Sequence, residues 1–436
     1  MPKGIRILID GDFYYMKDKL FSSLEYVKTF IKWMVVSVLI GVVGGSVGSL
    51  FHKCIDLATE TRAAHSRLLF LLPFGGIVIC ALYSLTKTRV DTNRVIESVR
   101  GDQNVPWYMA PLIFVSTVIT HLLGGSAGRE GAALQLGGSI GYNLGKLLRL
   151  KEGDLHIIVM AGMSAVFAAL FGTPLTAMFF ALEVTSVGIM YYAGLLPCAI
   201  AALTAASIAA FFGLSPVRFD FVSFPELSVG FAVKTVILAI LCALVCIVFC
   251  TALQKCEHYS EKLVKNKYLR TLVGSLIIVV LTLALGTRDY NGAGMDVIAR
   301  ALAGDARIWD FAVKIIFTAI TIASGFKGGE IVPAFFIGST FGCVMASVLG
   351  VPAGCGAAIG FVALFCGVVN CPVASVLLAL EVFGVANVSV FAIVCGVTYM
   401  MSGYCGLYKS QKIIYSKHQH DQESNPLRGF TEKTNQ

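Results

Sequence analysis

Charged side chains are scarce in this sequence. Only 14% of its 436 residues are Asp, Glu, Lys or Arg, against 56% hydrophobic, where a soluble domain carries roughly 25% charge. No polar segment is long enough to form a soluble domain, so the length counts membrane segments rather than globular units. A net charge of +8 does not point to nucleic acid. The basic residues sit in short clusters between apolar runs, as the positive-inside bias requires, and report orientation. The thirteen cysteines include no CxxC and no His-paired ligand spacing, so neither a disulfide framework nor a metal site follows. Cys242, Cys246 and Cys250 lie in one apolar run and read as small membrane-helix residues. No metal and no cofactor is expected. The N-terminal stretch MPKGIRILIDGDFYYMKDKLFSSLEYVK is too charged for a signal peptide, having no apolar core followed by a small-residue cleavage site.

What is abundant is apolar sequence in long runs. Stretches near 29–50, 68–85, 108–124, 155–171, 190–212, 230–254, 270–286, 309–324 and 386–402 are the membrane-segment candidates. Shorter stretches near 131–147, 174–187, 331–349, 354–369 and 372–384 are broken by Gly, Pro or charge. Several are too short to span, and such half-spans persist at membrane depth only where protein or a water-filled cavity satisfies their backbone. The expected fold is therefore an all-α polytopic membrane protein with broken and half-spanning helices. Basic residues at Lys87 and Arg89, Lys146 and Arg149, and Lys262 to Arg270 mark the candidate cytoplasmic loops.

Two halves of the chain resemble each other. PLTAMFFALEV at 174–184 matches PVASVLLALEV at 372–382 in its leading Pro and its closing Ala-Leu-Glu-Val. Some 40 residues upstream of each lies a Gly/Glu segment, SAGREGAALQLGG around Glu130 and GFKGGEIVPAFFIG around Glu330, with Gly138 and Gly338 eight positions after the glutamates. Repeats with broken helices point to a midplane binding site. A glycine-rich turn opening a helix leaves backbone N–H groups free beside the positive end of the dipole, so it can hold an anion. Gly124, Gly125, Gly128 and Gly131 allow such an approach, and Gly328, Gly329 and Pro333 offer the same device. Two helix starts facing one site is the expectation. A carboxylate there can occupy the anion's own place and leave it on protonation.

These motifs resemble the CLC family of anion channels and proton-coupled anion transporters, from about residue 30 to 412. GREGA at 128–132 is similar to the family's G-K/R-E-G-P segment, whose glutamate is an external gate that competes with the anion and carries protons. The resemblance assigns that role to Glu130, with Gly128, Arg129 and Gly131 around the anion. GGEIVP at 328–333 is similar to the family's G-x-F-x-P segment, which implies that Gly329 and the backbone N–H groups of Glu330 and Ile331 face the central anion. Tyr408 in GLYKSQ stands where the family has a tyrosine closing the inner side of the site. GGSAGREG with GFKGGE is most similar to the fluoride/proton antiporter clade, and Val184 stands where chloride exchangers have an inner proton-transfer glutamate, which fluoride exchangers also lack. Two departures concern the ion: Ala132 and Val332 replace threonines of that clade. The family's first segment has DTNRVIE at 91–97 as its counterpart, so Asp91, Thr92 or Asn93 supplies the side chain near the ion, with Thr92 preferred.

The resemblance implies proton-coupled antiport of fluoride or another halide, with a chloride/proton antiporter or a passive chloride channel as alternatives. It also implies an inverted CLC-type repeat and a homodimer among membrane lipids, with one pathway per subunit and the ALEV helices placed near the interface. The expected layout is a cytoplasmic N-terminal segment at 1–28, a transport domain at 29–412 with halves at about 29–213 and 230–412, and a short polar cytoplasmic tail at 413–436. The lack of the large cytoplasmic domain common in eukaryotic relatives points to a bacterial inner membrane. Plainer readings stand beside these residues: Glu130 caps a helix start or gates the anion, and Glu330 is structural or borders the ion. Arg129 pairs with a carboxylate or attracts anions; Glu183 and Glu381 cap helices or relay protons; Phe335, Phe336 and Phe341 pack or touch the ion; Lys327 is a solvated cation or steers anions. The competing class is an intramembrane serine protease built on Ser164 in AGMSA and His121, which would still need a positioned base and an oxyanion hole.

Overall fold

The apolar runs become sixteen α-helices in a computed structural model that describes residues 3–86, 90–101, 103–219, 222–414 and 417, with residues 3–24 described as backbone only. The first eight are α1 (Lys3–Ala64), α2 (Leu72–Ser84), α3 (Thr92–Val99), α4 (Met109–Leu123), α5 (Glu130–Leu147), α6 (Glu152–Phe171), α7 (Pro174–Glu183) and α8 (Leu195–Phe211). The second eight are α9 (Val229–Leu263), α10 (Lys267–Leu285), α11 (Met295–Leu302), α12 (Asp310–Ala323), α13 (Ile331–Leu349), α14 (Ala353–Val369), α15 (Pro372–Phe383) and α16 (Val388–Met401). Two two-residue strands, β1 (Ser186–Val187) and β2 (Lys412–Ile413), pair in parallel and are the small exception to an all-helical chain. Seven helical stretches among the described residues are long and apolar enough to cross a membrane. Large apolar side chains such as Leu203, Val248 and Leu276 remain exposed on their flanks, as lipid-facing positions require.

The two sets of eight correspond helix by helix, and the correspondence is inverted. Glu183 at the end of α7 accepts the N–H groups of Val373 (3.2 Å) and Ala374 (2.8 Å) at the start of α15. Glu381 near the end of α15 returns the arrangement, accepting N–H from Leu175 (3.0 Å) and Thr176 (2.9 Å) and the Thr176 hydroxyl (2.6 Å) at the start of α7. Each carboxylate thus satisfies the orphan donors of the opposite helix, which favours the capping reading of both residues. Pro at the first position of each helix removes one donor that would otherwise be orphaned.

Helices α5 and α13 lie against α6 and α14 with glycine at the contacts. A Cβ on Gly137 would stand 2.2 Å from the Gly162 carbonyl oxygen, and one on Gly338 would stand 2.2 Å from that of Gly360. Only glycine permits backbones that close. This contact corrects the register of the repeat. Gly338 corresponds to Gly137, not Gly138, and the first helical residue is Glu130 in α5 but Ile331 in α13. The glutamates are therefore one step out of register, and Glu330 occupies the cap position that Arg129 occupies in the first half.

Helix lengths also differ from expectation. The stretches near 131–147 and 331–349, grouped with the shorter, broken ones, form helices of 18 and 19 residues, because their glycines pack against neighbours instead of breaking the helix. The short elements are α3 and α11, with 8 residues each, and α7 and α15, with 10 and 12. The proposed boundary at residue 28 falls inside the continuous backbone helix α1. Apart from 413, 414 and 417, the tail at 413–436 lies outside the described residues, as do Lys87 and Arg89.

Candidate functional site

Two loops carry the chain from one helix into the next at the centre of the molecule. Gly124 ends α4 in the left-handed region (φ 91°), and Gly325 sits likewise (φ 95°) just after α12. The loops then cross. Gly128 N–H donates to the Gly329 carbonyl and Gly329 N–H donates to the Gly128 carbonyl, both at 2.6 Å, as an isolated antiparallel bridge. Space is the reason for glycine here. A Cβ on Gly329 would lie 2.4 Å from the Gly131 nitrogen. The starts of α5 and α13 are thereby brought face to face, with Gly128, Gly131, Gly329 and Ile331 in one neighbourhood.

Glu130 is 1% exposed, and its Oε2 accepts the N–H of Arg129 at 3.0 Å. The same oxygen lies 2.8 Å from where a Gly128 Cβ would be, so the carboxylate folds back onto the start of its own helix. Arg129 Nε stands 3.6 Å from Glu130 Oε1, while its Nη1 donates to Asp56 Oδ1 at 3.1 Å. His52 Nε2 reaches the other Asp56 oxygen at 3.1 Å. The pairing reading of Arg129 is what these contacts favour, since the guanidinium is engaged by two carboxylates.

A cavity of about 810 Å³ reaches these helix starts from one side. Its wall includes Thr92, Gln135, Gly328, Glu330 and Tyr408; Glu130 is not on it. Glu330 is half-buried there, and Tyr408 is 5% exposed with a hydroxyl that has no hydrogen-bond partner among the described residues. The charged residues toward the mouth include Glu257, Lys267, Arg270 and Lys409. Lys327 lines the same cavity with its ammonium 4.6 Å from the Tyr83 ring centroid.

The three candidates at 91–93 separate by what they touch. Asp91 caps α3 by accepting the Arg94 N–H at 3.0 Å. Asn93 Oδ1 accepts both the Ser410 N–H and the Ser410 hydroxyl at 3.0 Å. All three line the cavity, and Thr92 is the one whose hydroxyl accepts from Gln135 Nε2, at 2.8 Å. Asn93 therefore ties the start of α3 to the segment that carries Tyr408.

Other expected residues fall outside this centre or have ordinary neighbours. Phe335 stacks on Phe361 (3.9 Å between centroids), Phe336 lies 6.2 Å from Tyr290, and Phe341 meets Phe311 edge-on at 5.1 Å. The Ser164 hydroxyl donates to the Cys198 carbonyl (3.1 Å), and His121 Nδ1 donates to the Thr117 carbonyl (2.9 Å). Neither serine nor histidine is directed at the other, so the protease reading has no dyad.

Sequence reasoning missed four residues of this region. Gln135 is the one amide in the small apolar stretch AALQLGG, which was its available signal. Asp56 lies four residues after His52, on one face of α1. Asn291 donates to the Gly124 carbonyl at 2.9 Å and so holds the first glycine loop from a distant connection. Lys314, fully buried in α12, donates to the carbonyls of Gly292 (2.7 Å) and Tyr290 (3.2 Å) and fastens that connection.

Comparison with known proteins identifies the family of the chain. Residues 75–403 match the voltage gated chloride channel family. A chloride/fluoride channel protein of Pseudomonas syringae pathovar tomato is 35% identical over 91% of this chain and 90% of its own length. An H(+)/Cl(-) exchange transporter of Vibrio cholerae is 25% identical over 84% of this chain and 85% of its own. The crystal structure of a CLC-type fluoride/proton antiporter superposes with a TM-score of 0.85 at 32% identity, covering 88% of this chain and 98% of that one. Its glycine-bridged inverted repeat and these matches make the chain an integral membrane protein of the CLC voltage gated chloride channel family, a family of channels and transporters rather than enzymes.

Proposed function

We propose that this protein exchanges fluoride for protons across a bacterial inner membrane, with Glu130 as both gate and proton carrier. The observation that carries this reading is the Glu130 carboxylate folded onto the start of α5 and accepting the Arg129 N–H. An anion bound at that helix start would use the same kind of donor. Protonation removes the charge for which the donors compete, and the neutral side chain can then yield its place. One residue thus alternates with the anion and carries the proton. Gly128, Arg129, Gly131, Gly329, Glu330, Ile331, Thr92 and Tyr408 form the surroundings through which the anion moves. The Pseudomonas relative and the fluoride/proton antiporter support fluoride as the ion.

A second reading is chloride/proton exchange or passive chloride flow. It is favoured by Val332, whose Cβ lies 2.9 Å from where a Gly128 Cβ would be. An isopropyl group there gives no hydroxyl to a small, strongly hydrated anion. The cavity is lined by Glu257 and Glu261 beside Lys267, Arg270 and Lys409, and the basic cluster from Lys262 to Arg270 is what the positive-inside bias assigns to the cytoplasm. In either reading the functional unit is a homodimer among membrane lipids, joined near α7 and α15.

Purified protein in liposomes, with imposed fluoride or chloride gradients and a proton readout, tests these readings. Uphill proton movement driven by fluoride and not by chloride is the expected result. Halide flux without proton movement would sink both exchange readings. Glu130→Gln is expected to abolish proton coupling, and intact coupling in that variant would remove the carboxylate from the mechanism.

A further inference from the structure

We propose that Gln135 is a direct anion ligand, one whose amide turns between Thr92 and the transported halide. The proposal rests on the anion-transport reading above and adds a residue to it. Gln135 is 6% exposed and lies on the wall of the cavity, in company with Glu330 and Tyr408. One end of its amide is engaged, Nε2 donating to Thr92 Oγ1 at 2.8 Å. The other end, Oε1, has no hydrogen-bond partner among the described residues. A buried amide oxygen without a partner is unfavourable and calls for an explanation.

An amide turned by 180° about its terminal torsion exchanges its oxygen and nitrogen with almost no change of shape. A threonine hydroxyl both donates and accepts. In the turned state the Thr92 hydroxyl donates to Gln135 Oε1, and the NH2 group is delivered to the place the bare oxygen held. The bond to Thr92 survives the turn, and two N–H donors enter the cavity wall. A bare carbonyl oxygen repels a halide, whereas an NH2 group binds it. The Tyr408 hydroxyl, also buried and without a partner among the described residues, offers a further donor on the same wall. The two orientations of Gln135 thus differ in what they present, an acceptor in one and two donors in the other.

The hydroxyl of Thr92 has a single hydrogen. When it donates to Gln135 it cannot also donate to the anion, so the amide takes the ligand role and Thr92 becomes the pivot.

Two variants separate a ligand from a residue that merely holds Thr92. Gln135→Leu removes both functions. Gln135→Met keeps the length of the side chain and a weak thioether acceptor for the Thr92 hydroxyl, adds no charge, and removes both donors. The measurement is equilibrium binding of fluoride and of chloride to purified protein by titration calorimetry, alongside proton-coupled flux in liposomes. Both variants are expected to weaken halide binding at least about tenfold, the scale of one hydrogen bond to a charged partner. Wild-type affinity in Gln135→Met would reduce the residue to positioning Thr92 and overturn the proposal. If the wild type binds halide but moves no proton, the exchange reading falls and a weakened Gln135→Met still upholds the ligand. If the wild type exchanges halide for protons while both variants bind normally, the ligand assignment falls alone. A wild type that binds neither halide sinks both.

Discussion

At the scale of single residues, the polar side chains near the crossing are short and alike, and their partners are far away in sequence. Asp91, Thr92 and Asn93 all carry an oxygen suited to a helix start, so the sequence left three candidates. What separates them is Arg94 for the first, Gln135 for the second and Ser410 for the third. Asn93 is the one whose loss is most readable. Asn93→Ala leaves the Ser410 N–H without its side-chain acceptor, while the Ser410 hydroxyl keeps the Asn93 backbone carbonyl at 3.2 Å, an expected destabilisation of about 1–3 kcal/mol. It should appear as a lower apparent melting temperature in detergent, and an unchanged value would mean that Ser410 finds water instead. Glu130, by contrast, was legible as a buried carboxylate at a helix start from its flanking glycines alone, while its part in transport stays with the proposal.

At the scale of helices, the ALEV repeat was visible because Pro and Glu sit at matching offsets in both copies. Its purpose was not, because each glutamate caps a helix 190 or more residues away. Glu183→Ala and Glu381→Ala should each lower stability by about 0.5–2 kcal/mol, the usual range for a lost N-cap. Similar losses in the two variants, followed by thermal unfolding, would express the symmetry of the pair; a loss confined to one would contradict reciprocal capping. Glycines give a second contrast. Gly338→Ala forces a Cβ against a backbone carbonyl and should cost about 1–3 kcal/mol, as overpacking does. Gly396 in α16 has nothing within 4 Å of its Cβ position, so Gly396→Ala should stabilise by up to about 1 kcal/mol through helix propensity. The register of the repeat was misjudged in sequence because the two glutamates are the loudest shared letters. The structure aligns the halves by glycine contacts instead, which places Arg129 and Glu330, charges of opposite sign, at equivalent caps.

At the scale of the whole molecule, the repeat was legible from its paired ALEV and Gly/Glu segments, its inversion from the family resemblance, and most membrane segments from apolar runs, while the meeting of the halves was not, since no sequence rule says which distant glycines will bond. That meeting makes the centre a joint product. Two co-expressed fragments, cut between Phe211 and Val229, are expected to copurify and to bind halide together, while neither binds it alone. Halide binding by the first fragment by itself would contradict a shared site. Light scattering is expected to give a dimer in detergent, and a monomer would remove the proposed pairing near α7 and α15. The bridge between Gly128 and Gly329 also sets a schedule. Its two residues are 201 positions apart, and a ribosome adding about 5–20 residues per second needs roughly 10–40 seconds to travel that far. For that interval the newborn first half waits in the bilayer with its glycine loop unbridged, and the anion path comes into being only when the second loop arrives.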